Sequence, residues 1–162
     1  MRSIPPLIID DNVVFDSITA AKRGQRRARL TAARPAVIDA YGRYDEETPD
    51  VGNLALAALT EQQKEALKHA FNVETAPMIA LRGNILNRIS VARCPFCGIN
   101  ESSTLDHYLP KEQYPEFAVF SSNLTPCCSP CNTLKRDKIL DDDRSSPFRS
   151  SALRSGSGDA VP

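Results

Sequence analysis

CPFCGINESSTLDHYLPKEQYPEFAVFSSNLTPCCSPCNTLKRDK, residues 94–138, holds two Cys-x-x-Cys pairs, Cys94/Cys97 and Cys128/Cys131, and between them the chain's one Asp-His dipeptide, Asp106-His107. Two such pairs on tight turns can bring four thiolates to about 2.3 Å from one Zn²⁺ in a closed tetrahedral shell, a site that stabilises a fold without doing chemistry. Taken alone, the cysteines therefore predict a structural zinc ribbon. The intervening segment, 98–127, exceeds the roughly 15–20 residues of a simple ribbon and leaves room for a hairpin with its own site.

Leu105 to Lys111 reads as a short strand closed by Pro110 and carrying Asp106 and His107. Downstream, Asn123-Leu124 precedes the second cysteine pair, and Asn132 follows Cys131 directly, with Lys135 and Arg136 behind it. In these residues the chain resembles the HNH endonucleases, whose ββα-metal motif is a strand bearing Asp-His or His-His, a second strand with an Asn, and a helix bearing a further His or Asn. The resemblance covers about 45 of the 162 residues. It departs from some members at Arg136, where they place a further metal-binding His.

The resemblance implies His107 as general base, Asp106 and Asn132 as ligands of a catalytic divalent ion, and Asn123 holding the His107 ring or backbone. With two protein ligands, both oxygens, that ion is expected to be Mg²⁺ or Mn²⁺ and distinct from the structural zinc on Cys94, Cys97, Cys128 and Cys131. Lys135 and Arg136 lie three and four residues beyond Asn132 on one helix, so they are expected to share its face and hold a phosphate. The implied activity is phosphodiester hydrolysis in DNA. RNA as substrate and a zinc module that binds nucleic acid without cutting are the competing readings. A partner protein in a multi-component system stays open, and of the roles such proteins fill, phage defence is weakly favoured.

Outside the motif, 20 basic and 20 acidic residues balance, but unevenly along the chain. Lys22, Arg23, Arg26, Arg27, Arg29 and Arg34 fall in a stretch without acids, whereas 45–50 is acidic. Such asymmetry suits a polyanion-binding face, with Arg23, Arg26 and Arg27 as phosphate contacts. Five cysteines, four of them in metal-type pairs, fit a reducing compartment. No apolar run approaches the roughly 18 residues of a membrane helix, so a cytoplasmic protein without membrane contact is expected.

The expected fold is α+β: a mostly helical region over 1–92, the zinc-stapled ββα module over 93–140, and a disordered tail over 141–162. Pro5 and Pro6 predict an arm or short strand at the start, with Asp10-Asp11 as a turn or helix cap. A basic helix is expected over 18–33, a second from Pro35 to Tyr41 ended by Gly42, and a loop at 42–50. Thr60-x-x-Gln63 is a capping box opening a helix over 61–71 with Ala66, Leu67, Ala70 and Phe71 on one face. Another helix spans about Pro77–Ile89 on a stripe of Met78, Leu81, Ile85 and Ile89, with Arg82, Arg88 and Arg93 facing outward. Cys127 is read as a small core-side residue, and His69 as surface or packing.

Overall fold

The computed structural model describes residues 9–47, 54–87 and 93–136. The expected tail, the acidic residues after Glu47, and Ile89 with Arg88 lie outside these residues. What is described is α+β: four helices, α1 (Asp11–Ala20), α2 (Gly24–Glu47), α3 (Glu61–Asn72) and α4 (Ala76–Leu86), then an antiparallel hairpin of β1 (Thr104–His107) and β2 (Leu124–Cys127), and α5 (Ser129–Lys135). None of these helices is long and apolar enough to cross a membrane.

The chain is helical from Asp11, and the arm or strand expected at Pro5 and Pro6 lies outside the described residues. Asp10 acts as the expected cap: its carboxylate accepts from the backbone N–H of Asn12 at 3.0 Å and of Val13 at 3.2 Å, satisfying two donors that a helix start leaves open. Phe15, Ile18 and Thr19 then turn into the core at helical spacing.

The larger correction concerns Pro35 and Gly42, expected to start and to end a short helix, which both sit inside α2. Leu30, Ala33, Val37, Ala40, Tyr41 and Tyr44 are all buried, an apolar stripe that keeps the 3.6-residue period across the proline. Pro35 and Thr31, whose carbonyl loses its helical N–H partner, both face solvent. Water can serve that carbonyl, so the cost of roughly 3 kcal/mol for an interior proline is reduced while the buried stripe holds the helix together. The helix break falls instead inside the basic helix expected over 18–33, at Gly24, whose φ of +55° is open to glycine at little cost.

α3 begins as predicted. Gln63 N–H donates to Thr60 Oγ1 at 3.3 Å and Thr60 N–H to Gln63 Oε1 at 2.8 Å. In α4, Met78, Leu81 and Ile85 are buried as the stripe required.

The strand ends at His107, earlier than the expected 105–111, because the chain then winds through two 3-10 turns, Pro115–Phe117 and Ser121–Asn123, into the interior. Residues 115–121 are buried throughout. Phe120 stacks on Tyr41 of α2 with centroids 4.2 Å apart, and Phe117 meets Tyr44 at 5.1 Å. Buried Glu116 accepts the Ala57 N–H at 3.0 Å, and Asp11 of α1 accepts both the N–H and the hydroxyl of Ser121, at 2.9 and 2.8 Å. One apolar cluster accordingly runs from Phe15 and Leu67 to Leu105, Leu109 and Leu124, joining helices and hairpin.

Candidate metal and catalytic centre

Register places the site residues. Thr104 pairs with Cys127, Leu105 with Pro126, Asp106 with Thr125 and His107 with Leu124. Successive side chains of a strand leave opposite faces. Asp106 turns toward α5, and His107 toward α3 and the interior turn.

Cys94, Cys97, Cys128 and Cys131 come together with all four sulfurs within 4.8 Å of one another, a group that could hold a metal ion. The Cys97 and Cys128 sulfurs are 3.8 Å apart, close to the roughly 3.8 Å edge of a tetrahedron with metal–sulfur bonds of about 2.3 Å. The donor set and spacing thus suit an ion such as zinc. Each pair has a local reason to turn. At the first, Gly98 N–H donates to the Cys94 carbonyl at 2.8 Å with φ at +67°, a conformation that favours glycine. At the second, Cys128 is the N-cap of α5 and Pro130 lies in the first turn. Backbone N–H groups of Asn100 and Ile99 bring the Cys97 thiol down to about 6, while burial and neighbouring sulfurs push Cys131 up. Four sulfurs this close cannot all ionise unless a cation neutralises them. Cys127 stands outside the group, fully buried, its sulfur 3.3 Å from Thr104 Oγ1 and its thiol pushed up by burial to about 12.

Behind the cysteine group, α5 lies along β1. Asn132 Nδ2 donates to Thr104 Oγ1 and to the Leu105 carbonyl, both at 3.3 Å. One turn on, Lys135 is 1% exposed. Its ammonium lies 3.2 Å from Asp106 Oδ1 and 2.9 Å from Oδ2, and also donates to the His107 carbonyl. The Oδ2 contact is off the hydrogen-bonding angle, so that oxygen has a charge beside it but no hydrogen bond. Burial pushes the Asp106 carboxyl up to about 6, and the Lys135 charge limits the rise. Lys135 does share the face of Asn132, but that face is turned inward, so it cannot meet a phosphate from solvent as expected. Arg136 does not share the face at all: it leaves the helix with φ at +49° and is exposed.

Lys135→Met should destabilise the protein by about 3–5 kcal/mol, the usual cost of orphaning one member of a buried pair. Adding Asp106→Asn should recover most of that loss. Thermal melts of the two single variants and the double variant check the coupling; additive losses would mean that the pair is not energetically linked.

His107 is 8% exposed. Its Nε2 lies 2.9 Å from the Ala118 carbonyl, and because a carbonyl only accepts, Nε2 carries the proton and Nδ1 keeps a lone pair. Burial holds the imidazolium form down, to about 4, so the ring is neutral near pH 7. Asn123 does not reach that ring. It braces the backbone just beyond it, accepting the Leu109 N–H at 2.8 Å and donating to the carbonyls of Leu109 at 3.0 Å and Phe117 at 3.2 Å. Fully buried, it ties the end of β1 to the interior turn that supplies Ala118.

The hairpin thus brings together Asp106, His107, Asn123, Asn132 and Lys135, while no described hydrogen bond or ion pair joins Arg23, Arg26 or Arg27 to it. Of the basic stretch, those three are exposed. Lys22 is buried, its ammonium 3.5 Å from the Ala70 carbonyl and 3.3 Å from that of Val73, and burial lowers its pKa. Arg34 is held by Asp16 at 2.6 Å, an acid of the neighbouring helix α1 that inspection of the basic stretch alone could not supply. Three further participants were not singled out as site residues: the Ala118 carbonyl, Phe71, expected only as core, and Arg82, expected to face outward.

The arrangement is therefore a strand–turn–strand–helix hairpin whose helix begins at a group of four cysteines that could hold a metal ion. Against known proteins, the chain is 43% identical over 49 residues, 30% of its length, to Protein ea31 of Escherichia phage lambda. That stretch spans only 17% of the phage protein. No protein-family model and no solved structure matches the chain.

Proposed function

We propose that the chain is a metal-dependent endonuclease of the HNH type, hydrolysing phosphodiester bonds in DNA, with zinc on the four cysteines. The observation that carries this reading is the His107 ring, fixed through Nε2 on the Ala118 carbonyl so that Nδ1 keeps its lone pair, on a strand whose other face turns the carboxylate oxygens of Asp106 toward α5, the helix that carries the amide oxygen of Asn132. Those oxygens would hold Mg²⁺ or Mn²⁺, hard ions that prefer oxygen donors. Such an ion supplies charge for the pentacoordinate phosphate and the leaving 3′ oxygen. His107 accepts the proton of the attacking water. Asn123 keeps the backbone beyond His107 in place, and α5 carries Asn132 from the zinc turn to the strand.

Supercoiled plasmid incubated with the protein in Mg²⁺, in Mn²⁺ and in chelator tests the reading, with a structured RNA as a parallel substrate. Conversion to nicked or linear DNA only with divalent ion supports it. Cleavage confined to RNA would move the substrate assignment.

One observation favours a second reading. The Lys135 ammonium already neutralises Asp106, as befits a hairpin that binds nucleic acid without cutting. No cleavage in either ion, together with DNA binding unaffected by His107→Ala, would select it.

Arg23, Arg26 and Arg27, exposed near the start of α2, are the proposed phosphate contacts. Replacing all three with glutamine should weaken DNA binding alike for all sequences and reduce the slope of log affinity against log salt by as much as about 2.7, at roughly 0.9 per phosphate. Fluorescence anisotropy over a salt series measures it, and an unchanged slope would return these arginines to ordinary surface charge.

A further inference from the structure

We infer that Phe71, gripped by Arg82, is a positioning residue that fixes the plane of the His107 ring for proton transfer, so that the helical region is part of the catalytic unit. This rests on the nuclease reading above. An imidazole anchored only at Nε2 can still swing about that hydrogen bond, because the torsion joining the ring to its stem is broad. His107 has a second contact, the Phe71 ring, at 4.3 Å between centroids and 65° between planes, an edge arrangement. Such a pair has a preferred geometry, and together with the Ala118 carbonyl it defines the ring's orientation at two points.

Phe71 is itself held at both ends. The Arg82 guanidinium carbon lies 4.5 Å from its ring centroid, and Arg82 Nη2 donates to its carbonyl at 2.9 Å. Arg82 forms no ion pair with a carboxylate among the described residues, and its buried Nε has no hydrogen-bond partner. Among the described residues, the guanidinium contacts are with the ring and the backbone carbonyl of Phe71. Lys22, bonded to the carbonyls on either side of Phe71, at Ala70 and Val73, closes the same end of α3. Phe71 and Arg82 both precede the first metal-binding cysteine, outside the motif that suggests the nuclease.

The test compares Phe71→Leu, which keeps an apolar side chain but loses the ring, with Phe71→Tyr, which keeps the ring. Plasmid cleavage is resolved into kcat and KM. Proton spectra follow the two histidine rings of the chain, with His69→Gln providing the assignment. We expect Phe71→Leu to lose the ring-current shift of the His107 protons and to lower kcat about 10²-fold, the scale of a small misplacement, with KM within about twofold. Phe71→Tyr should restore both. Should Phe71→Leu fail to fold, Arg82→Met removes the grip and leaves the ring, and the same split in kcat at smaller amplitude is expected. A folded Phe71→Leu with wild-type kcat, or an Arg82→Met that raises KM alone, overturns the inference while the nuclease reading stands. A wild-type protein that does not cut overturns both.

Discussion

Replacing His107 with alanine should leave a folded, metal-loaded protein that binds DNA and cuts it about 10²–10⁴-fold more slowly, the usual contribution of a positioned proton acceptor. The separation between binding and cutting follows from where His107 sits. Its ring faces α3 and the interior turn, and among the described residues it is hydrogen-bonded to the Ala118 carbonyl. Asn132→Ala should also be inactive, through weakened hold on the divalent ion, so raised Mn²⁺ should recover part of its activity and none of that of His107→Ala, whereas Asp106→Ala also leaves the buried Lys135 ammonium unpaired and should lose stability as well as activity. Plasmid nicking across a Mn²⁺ titration, with calorimetric melting as control, reads both effects. A folded His107→Ala cutting at the wild-type rate would end the proposed mechanism.

The second large effect concerns the cysteines. Cys128→Ser should reduce bound zinc from about one per chain to near none and unfold the hairpin, since binding free energies of roughly 10–16 kcal/mol at such sites serve as folding free energy. Cys128 is at once a member of the sulfur group and the N-cap of α5, so its loss also misplaces Asn132 and Lys135. Cys127→Ser, outside the group, should keep its metal. Elemental analysis with circular dichroism distinguishes them, and full metal retention by Cys128→Ser would refute the four-cysteine site.

Much of this was legible because some residues act on their immediate neighbours. Thr60 and Gln63 cap one another, Asp10 caps α1, and the short loops within the two Cys-x-x-Cys pairs leave their sulfurs little freedom. What was not legible depends on distant partners. Pro35 reads as a helix start in any local scheme, and only the stripe from Leu30 to Tyr44, packed on Phe117 and Phe120, carries the helix through it. The spacing of Asn132 and Lys135 correctly put them on one face but could not say that the face is buried against β1. A sign was available: a strand carboxylate destined for burial needs a counter-charge, and Lys135 lies one turn beyond Asn132. Arg34 was grouped with the acid-free basic stretch for the same reason, its acid lying on another helix.

The bonds from Asp11 to Ser121 span 110 positions of the chain. Loop closure grows costlier with length, and contacts this remote slow folding. The capping box of α3 and the turns at the cysteines involve near neighbours and can form early, whereas the interior turn that supplies the Ala118 carbonyl is sealed only when the first helix returns to it. During synthesis, the site therefore cannot be finished piecemeal as the ribosome releases it; its geometry is a late event that reports on the first helix and the hairpin having come together.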